Sequence, residues 1–121
     1  MGTPICNWRR IEVDNWSEIT FLHYLEDRHE EIYGLPYARR GNTASEYQQI
    51  GKLIEHYGTE IVKEFIDECF EVYRPSADYP GVNLYFMCTY MGYCLQRVII
   101  RDKIRRGEDG RILILGDMDY K

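Results

Sequence analysis

The stretch that decides the fold is IGKLIEHYGTEIVKEFIDECF, residues 50–70. Its apolar residues recur at helical spacing on both sides of Gly58, and glycine readily ends one helix before another begins. We therefore predict two amphipathic helices hinged at Gly58 and Thr59, with the outline of a helix-turn-helix. The inward stripe of the second helix is predicted to be Ile61, Val62, Phe65, Ile66, Cys69 and Phe70.

Length and composition predict one packed domain over residues 1–121. Hydrophobic residues make up 45% of the chain and aromatic residues 14%, which is ample for a core. The first residues lack the apolar stretch of a signal peptide, and no apolar run is long enough to span a bilayer. We therefore expect a cytoplasmic protein with no membrane partner.

Two capping patterns predict where the first helices begin. Asn15 and Glu18 have the spacing of a capping box, and Gly34 is a suitable end for the helix between them. Thr43-Ala-Ser-Glu46 is a second capping box, which begins the helix that runs to Gly58.

Beyond the hairpin, a loop is predicted at residues 74–83, because this segment has two prolines and a glycine. Asn83 is a suitable cap for a fourth helix that runs into the basic sequence RDKIRR. Its first half, LYFMCTYMGYCL, has few polar residues on any side. We therefore predict that it is the central helix of the bundle.

The end of the chain departs from this helical pattern. Residues 112–115 are an apolar run with β-branched residues, which predicts a strand, and residues 9–13 are the preferred partner. A hairpin with residues 99–105 is the competing interpretation. The predicted fold class is mainly α: a compact four-helix domain with a short two-stranded β ribbon formed by the termini.

The residues on the outward side of the helix after Gly58 indicate whether this hairpin could recognise DNA. Recognition helices need Arg, Lys, Asn or Gln that reach base edges, whereas this side has one lysine among five acids. The charge predicts either an ordinary solvated face or a surface that docks in a basic groove. The predicted partner-binding acids, which we call the acidic face, are Glu60, Glu64, Asp67, Glu68 and Glu71.

Basic residues gather in the first connector and at the end of helix four. The net charge of −5 argues against non-specific nucleic-acid binding as the main activity. The basic residues therefore either pair with the acidic helices or contact nucleic acid or an acidic partner. They are Arg39, Arg40, Arg97, Arg101, Arg105 and Arg106.

Tyrosine is unusually frequent, with 11 residues. Tyr has an apolar body and a polar tip, which suits both core margins and interfaces. The loop at 74–83 with its aromatic surround is the second predicted docking site, with Tyr79 and Tyr85 as its partner-binding residues. Further tyrosines of this group are Tyr73, Tyr90 and Tyr93.

No catalytic or metal signature stands out in the sequence. The three histidines do not form a ligand set, and the four cysteines lack C-x-x-C spacing, which predicts reduced, buried thiols. His29 is predicted to be packed against the core. We expect no metal, no cofactor and no enzymatic activity; an enzyme built around Cys94 or His29 is the last alternative.

Three segments resemble small helical proteins encoded by phages and prophages: IYGLPYA, HYGTEIVKEFIDECF and YRPSADYPGVNLYFMCTYM. The similarity covers about residues 16–95. Such proteins are associated with phage DNA metabolism or with takeover of host machinery. The resemblance therefore implies a phage protein in a bacterial host cell, near a nucleic-acid machine, and it carries over no active-site residue.

Two functional expectations follow. The first is a non-enzymatic phage protein that binds, and inhibits or redirects, a host nucleic-acid machine through the acidic face. Candidate machines are an RNA polymerase, a replication factor or a CRISPR effector. The second is a nucleic-acid-binding accessory protein in phage replication or recombination that uses the basic residues.

Overall fold

The structure, a computed structural model, describes residues 7–107. This part of the chain is mainly helical, as predicted, and contains five α-helices. They are α1 (Glu18–Tyr33), α2 (Thr43–Tyr57), α3 (Thr59–Val72), α4 (Leu84–Tyr90) and α5 (Gly92–Arg105). Two short 3-10 helical turns, Trp8–Arg10 and Val13–Asn15, precede α1.

The predicted hairpin of α2 and α3 turns on Gly58. Its φ of 87° is in the region that favours glycine, so a side chain here would be strained. The Gly58 amide donates to the carbonyl of Ile54 at 2.8 Å, and its own carbonyl accepts from the amide of Val62 at 3.1 Å. One residue thus ends α2 and begins α3. Thr59, the second residue of the predicted hinge, is already the first residue of α3.

The central helix is α3, not the fourth predicted helix. α3 contacts α1, α2, α4 and α5, and all six residues of its predicted inward stripe are buried. Burial of this stripe against four neighbours is the main apolar contribution to the core. Phe65 and Ile66, at its middle, are almost completely inaccessible to solvent.

The predicted fourth helix is two helices. Its backbone breaks at Met91, where φ is −118° and ψ is 32°, and Gly92 begins α5. The inner side of α4 packs Leu84 and Met87 into the core. Its outer side stays accessible, so an apolar run in the sequence does not make α4 central. The large exposed side chains there are Tyr85, Phe86 and Tyr90.

Two predicted helix starts are wrong by one or two residues. Asn15 lies in a 3-10 turn, and Ser17 caps α1 with a capping box, because Trp16 is extended and buries its ring before the helix begins. For α2 the cap is Asn42, whose side chain accepts a backbone hydrogen bond, and Thr43 is the first helical residue. Asparagine caps well because its short side chain reaches the free amides of the first turn.

The predicted β ribbon is not supported. No strand occurs in residues 7–107, and the first predicted strand overlaps the 3-10 turn Trp8–Arg10. This segment packs onto α1 instead: the Trp8 ring lies 4.6 Å from that of Tyr24, and its Nε1 donates to Asp27. The competing hairpin is wrong because residues 99–105 are helical. Residues 112–115 lie outside the described part of the chain.

Candidate functional site

Carboxylates on the outward side of α3 lie against arginines of α5. Glu68 accepts hydrogen bonds from Arg97 and from Arg101, each at 3.0 Å. One turn earlier, Glu64 accepts two from Arg105, at 3.2 and 3.4 Å. We call these five residues the ion-pair layer. The helix packing therefore brings much of the predicted acidic face and much of the predicted basic set into contact with each other.

Glu68 is the most enclosed carboxylate of the ion-pair layer, with 13% of its side chain exposed. Burial raises the pKa of a carboxyl group, but the hydrogen bonds from Arg97 and Arg101 outweigh that effect. They hold the pKa of Glu68 below its usual value. Glu68 is therefore ionised at neutral pH, with both its oxygens bonded to guanidinium groups.

The remaining acids of the acidic face divide into two kinds. Asp67 accepts a hydrogen bond from Lys63 at 2.8 Å and another from the hydroxyl of Tyr24. Glu60 and Glu71 are exposed and pair with no cation within residues 7–107. They stand at opposite ends of α3, about 16 Å apart along its axis. The acidic face is thus neutralised at its middle and free at its ends.

Arg39 forms part of a network that joins the first connector to three helices. It donates to Glu26 and to Glu46, each at 2.9 Å. Glu46 is 4% exposed and also accepts from the hydroxyl of Tyr37, which in turn accepts from the amide of Leu84. Burial, followed by the charge of Glu46, raises the pKa of Tyr37, so this phenol stays protonated. Arg39 therefore holds the fold together.

The predicted basic residues do not form one surface. Arg106 pairs with Asp102 at 3.0 Å, so five of the six arginines lie beside carboxylates. Arg40 differs, since it is exposed and forms no ion pair within the described residues. Its guanidinium carbon lies 4.3 Å from the ring centroid of Tyr85, in a cation–π contact.

A groove of about 410 Å³ lies between the loop at 74–83 and α4. Its rings contact one another edge to face or tilted: Phe86 lies 5.7 Å from Tyr73 and 4.9 Å from Tyr90. Tyr79 and Tyr90 are 71% and 63% exposed. We call this the aromatic groove; its residues are Arg40, Tyr73, Tyr79, Tyr85, Phe86 and Tyr90.

The loop that forms one wall of the aromatic groove is held by specific hydrogen bonds. The Tyr73 hydroxyl donates to the carbonyl of Tyr79 at 2.7 Å, and Ser76 closes a turn with the same residue. Asn83 caps α4 as predicted, and its side-chain amide donates to the carbonyl of Ala38 at 3.1 Å. The exposed rings therefore project from an anchored backbone.

Close packing under the loop requires a glycine at position 81. A Cβ atom there would lie 2.1 Å from Nε2 of His29, far inside van der Waals contact. The His29 ring is 3% exposed, and its Nδ1 lies 2.9 Å from the carbonyl of Leu35. His29 is thus a packed histidine, as predicted, and it supports the loop.

Within the described region Cys69, Cys88 and Cys94 are free thiols; Cys69 and Cys94 are buried, as predicted, whereas Cys88 is half-buried. Burial raises the pKa of Cys88 to about 11 and raises those of Cys69 and Cys94 above their usual value. The thiols are therefore protonated at neutral pH and pack as small apolar groups. Cys6 lies outside the described residues.

Phe86 belongs to the aromatic groove but was not named as a site residue by the sequence prediction, which made the helix from Leu84 the central helix. Its neighbour Tyr85 was predicted as a docking residue. A short helix can bury only one side, so the aromatic residues on the other side are exposed. The proline-rich loop directly before α4 is the sequence signal that such a side lies next to a surface turn.

Comparisons with family models, curated proteins and solved structures found no match to this chain. The resemblance to phage proteins therefore stays a prediction. In residues 7–107 no three side chains of His, Cys, Asp or Glu lie close enough to hold a metal ion. No helix of that region has both the length and the apolar character needed to cross a bilayer.

Proposed function

We propose that this chain is a non-enzymatic phage protein that binds a protein of nucleic-acid metabolism and inhibits or redirects it. The target would be a machine such as an RNA polymerase, a replication factor or a CRISPR effector. The aromatic groove supports docking, because its rings are exposed while the backbone beneath them is anchored. Tyr and Arg are enriched among the residues that dominate interface energies. The phage context and the class of target rest on the resemblance of residues 16–95.

The aromatic groove suits docking better than the acidic face does. A basic partner that bound Glu64 and Glu68 would have to displace Arg97, Arg101 and Arg105. The partner would exchange one set of ion pairs for another, which yields little net free energy. Glu60 and Glu71, which pair with no cation of residues 7–107, suit contacts at the rim of an interface. The rings of the groove lose no internal hydrogen bond when a partner covers them.

The alternative function is a nucleic-acid-binding accessory protein in phage replication or recombination. Phosphate contacts release counterions and need several available cations. Five of the six predicted basic residues lie beside a carboxylate, which lowers the positive potential that a nucleic acid meets. They are Arg39, Arg97, Arg101, Arg105 and Arg106. Arg40 beside the exposed rings favours this alternative, since base stacking on aromatic side chains with a neighbouring arginine is a general mode of single-strand binding.

The experiment is capture from bacterial lysate with the tagged full-length chain, with and without nuclease, read by mass spectrometry. The Tyr90→Ala variant tests the aromatic groove. Tyr57→Ala is the matched control. Tyr57 is an exposed tyrosine at the turn of the α2–α3 hairpin, and it does not line the groove.

We expect one protein of nucleic-acid metabolism that survives nuclease treatment, is retained by the Tyr57→Ala variant and is lost with the Tyr90→Ala variant. Loss of capture on nuclease treatment would support the accessory function instead. Capture that both variants retain would contradict docking through the groove.

A further inference from the structure

The aromatic groove has a charge opposite to that of the whole chain. The chain has a net charge of −5, whereas among residues 7–107 Arg40 is the one charged residue that lines the groove, and no carboxylate of that region lines it. The net negative charge of the chain repels an incoming anion, but at the groove the anion meets a local cation.

Arg40 is positioned to bind an anion. Its guanidinium rests on the face of Tyr85, which orients the group while leaving its N–H donors unpaired with carboxylates of residues 7–107. A planar guanidinium of this kind binds a carboxylate through two parallel hydrogen bonds. Arg39, its neighbour in sequence, already pairs with the carboxylates of Glu26 and Glu46 and so is not available to bind an incoming anion.

Apart from Asn83, the other groove residues within the described part of the chain are apolar or aromatic. Tyr79, Phe86 and Tyr90 offer ring faces and edges around a volume of about 410 Å³, which holds a few side chains rather than a folded domain. An apolar side chain that entered would pack against these rings, and its removal from water would supply most of the affinity.

We infer that the aromatic groove binds a short peptide segment of the partner in which an aspartate or glutamate stands beside a bulky apolar side chain. This deepens the proposed function and rests on it. The carboxylate pairs with Arg40, and the apolar side chain packs between Tyr79, Phe86 and Tyr90. A single-stranded nucleic acid fits less well, because it presents a phosphate at every nucleotide, whereas the described part of the chain supplies one cation to the groove.

The test begins with a random peptide library displayed on phage and selected on the immobilised full-length protein. Selected peptides are synthesised with a fluorescent label, and their affinities for the wild type and its variants are measured by polarisation. Fluorescent oligothymidine is the nucleic-acid probe. Tyr57→Ala is again the control, and thermal unfolding confirms that each variant is folded.

We expect selected peptides to share an acidic residue next to a bulky apolar one. The Arg40→Gln variant should bind them about tenfold more weakly, a change of about 1.4 kcal/mol. Arg40→Lys should restore part of the loss, since it keeps the charge but not the planar fork. Changing the peptide's acid to its amide should weaken binding to the wild type by a similar factor and have little further effect on the Arg40→Gln variant.

The inference would be overturned if no peptide were enriched, if the enriched peptides lacked an acid, or if changing the peptide's acid to its amide weakened binding to the wild type and to the Arg40→Gln variant equally. Oligothymidine binding tighter than any peptide would also overturn it, in favour of a single-stranded nucleic acid. A captured partner that depends on Tyr90 but not on Arg40 would leave the proposed function standing while the acidic-peptide inference failed. The two failures are thus distinguishable.

Discussion

The ion-pair layer, between α3 and α5, and the aromatic groove, between the loop at 74–83 and α4, use their side chains in opposite ways. In the ion-pair layer every side chain has a partner inside the molecule, and Glu68 is nearly enclosed. In the groove, Tyr79 and Tyr90 are mostly exposed, and the hydrogen bonds serve the backbone that carries them. Charged side chains that pair with one another inside the molecule stabilise the fold, whereas exposed rings on an anchored backbone are available to a partner.

The largest expected effect is on the backbone of the groove. Gly81→Ala would place a Cβ against His29, so we expect it to destabilise the protein by about 3 kcal/mol. Gly92→Ala is the control, because a Cβ there meets nothing within 4 Å, and it should be neutral or slightly stabilising. Chemical denaturation measures both. Equal stabilities for the two variants would show that the loop is not packed on His29.

Charge reversal at the enclosed end of the ion-pair layer should act on stability. Glu68→Lys would set a third cation beside Arg97 and Arg101, and we expect a loss of about 2 kcal/mol in the free energy of unfolding. Glu71→Lys changes an exposed residue of the same helix and should alter stability by less than about 0.5 kcal/mol. If both reversals lower the free energy of unfolding by the same amount, Glu68 contributes no more to stability than an exposed surface charge does.

Removal of one exposed ring should act on binding. We expect Tyr90→Ala to weaken capture of the partner by about 1.5 kcal/mol, as truncation of an interface aromatic does. Its stability should change by less than about 0.5 kcal/mol, because the side chain is mostly exposed. Titration calorimetry with the captured partner, together with thermal unfolding, separates the two effects. A destabilised variant with unchanged affinity would assign Tyr90 to the core margin.

A smaller effect, on pH dependence, is expected from Glu68. Its folded-state pKa is below the usual value, because the effect of burial is outweighed by two arginine hydrogen bonds. In the unfolded chain the pKa of Glu68 is about 4.3, so as pH falls the unfolded state takes up the proton before the folded state does. The stabilisation is therefore present at neutral pH and is lost as pH falls through the folded-state pKa.

Denaturation of the wild type and Glu68→Gln from neutral to acidic pH measures this contribution. The difference in unfolding free energy between the two proteins should shrink toward acid, since protonation removes the same charge that the substitution removes. A difference that stays constant with pH would mean that Glu68 contributes through packing alone.

The sequence predicted best where one residue type serves one local purpose. Gly58 supplies a backbone angle that other residues avoid, and Asn83 caps α4, so both were identified correctly. The inward stripe of α3 was also correct because its spacing admits one buried side. These features depend on neighbours within a few residues along the chain.

What the sequence did not reveal depends on packing between distant segments. An apolar run such as the one from Leu84 to Leu95 predicts burial, but only tertiary contacts decide that it breaks at Met91 and leaves one side exposed. Similarly, the sequence left open whether the arginines of α5 pair with the acidic helices or face a partner. Only the contact between the helices shows that Glu68 and Arg101 neutralise each other.

The central claim is that the ion-pair layer stabilises the fold while the aromatic groove binds the partner. The most direct measurement compares two double variants, Glu64→Gln with Glu68→Gln and Tyr85→Ala with Tyr90→Ala, for stability and for affinity toward the captured partner. We predict a crossed result: the first loses stability and keeps its affinity, and the second keeps its stability and loses affinity. A first variant that is folded and stable but no longer binds would contradict this account and assign docking to the acidic face.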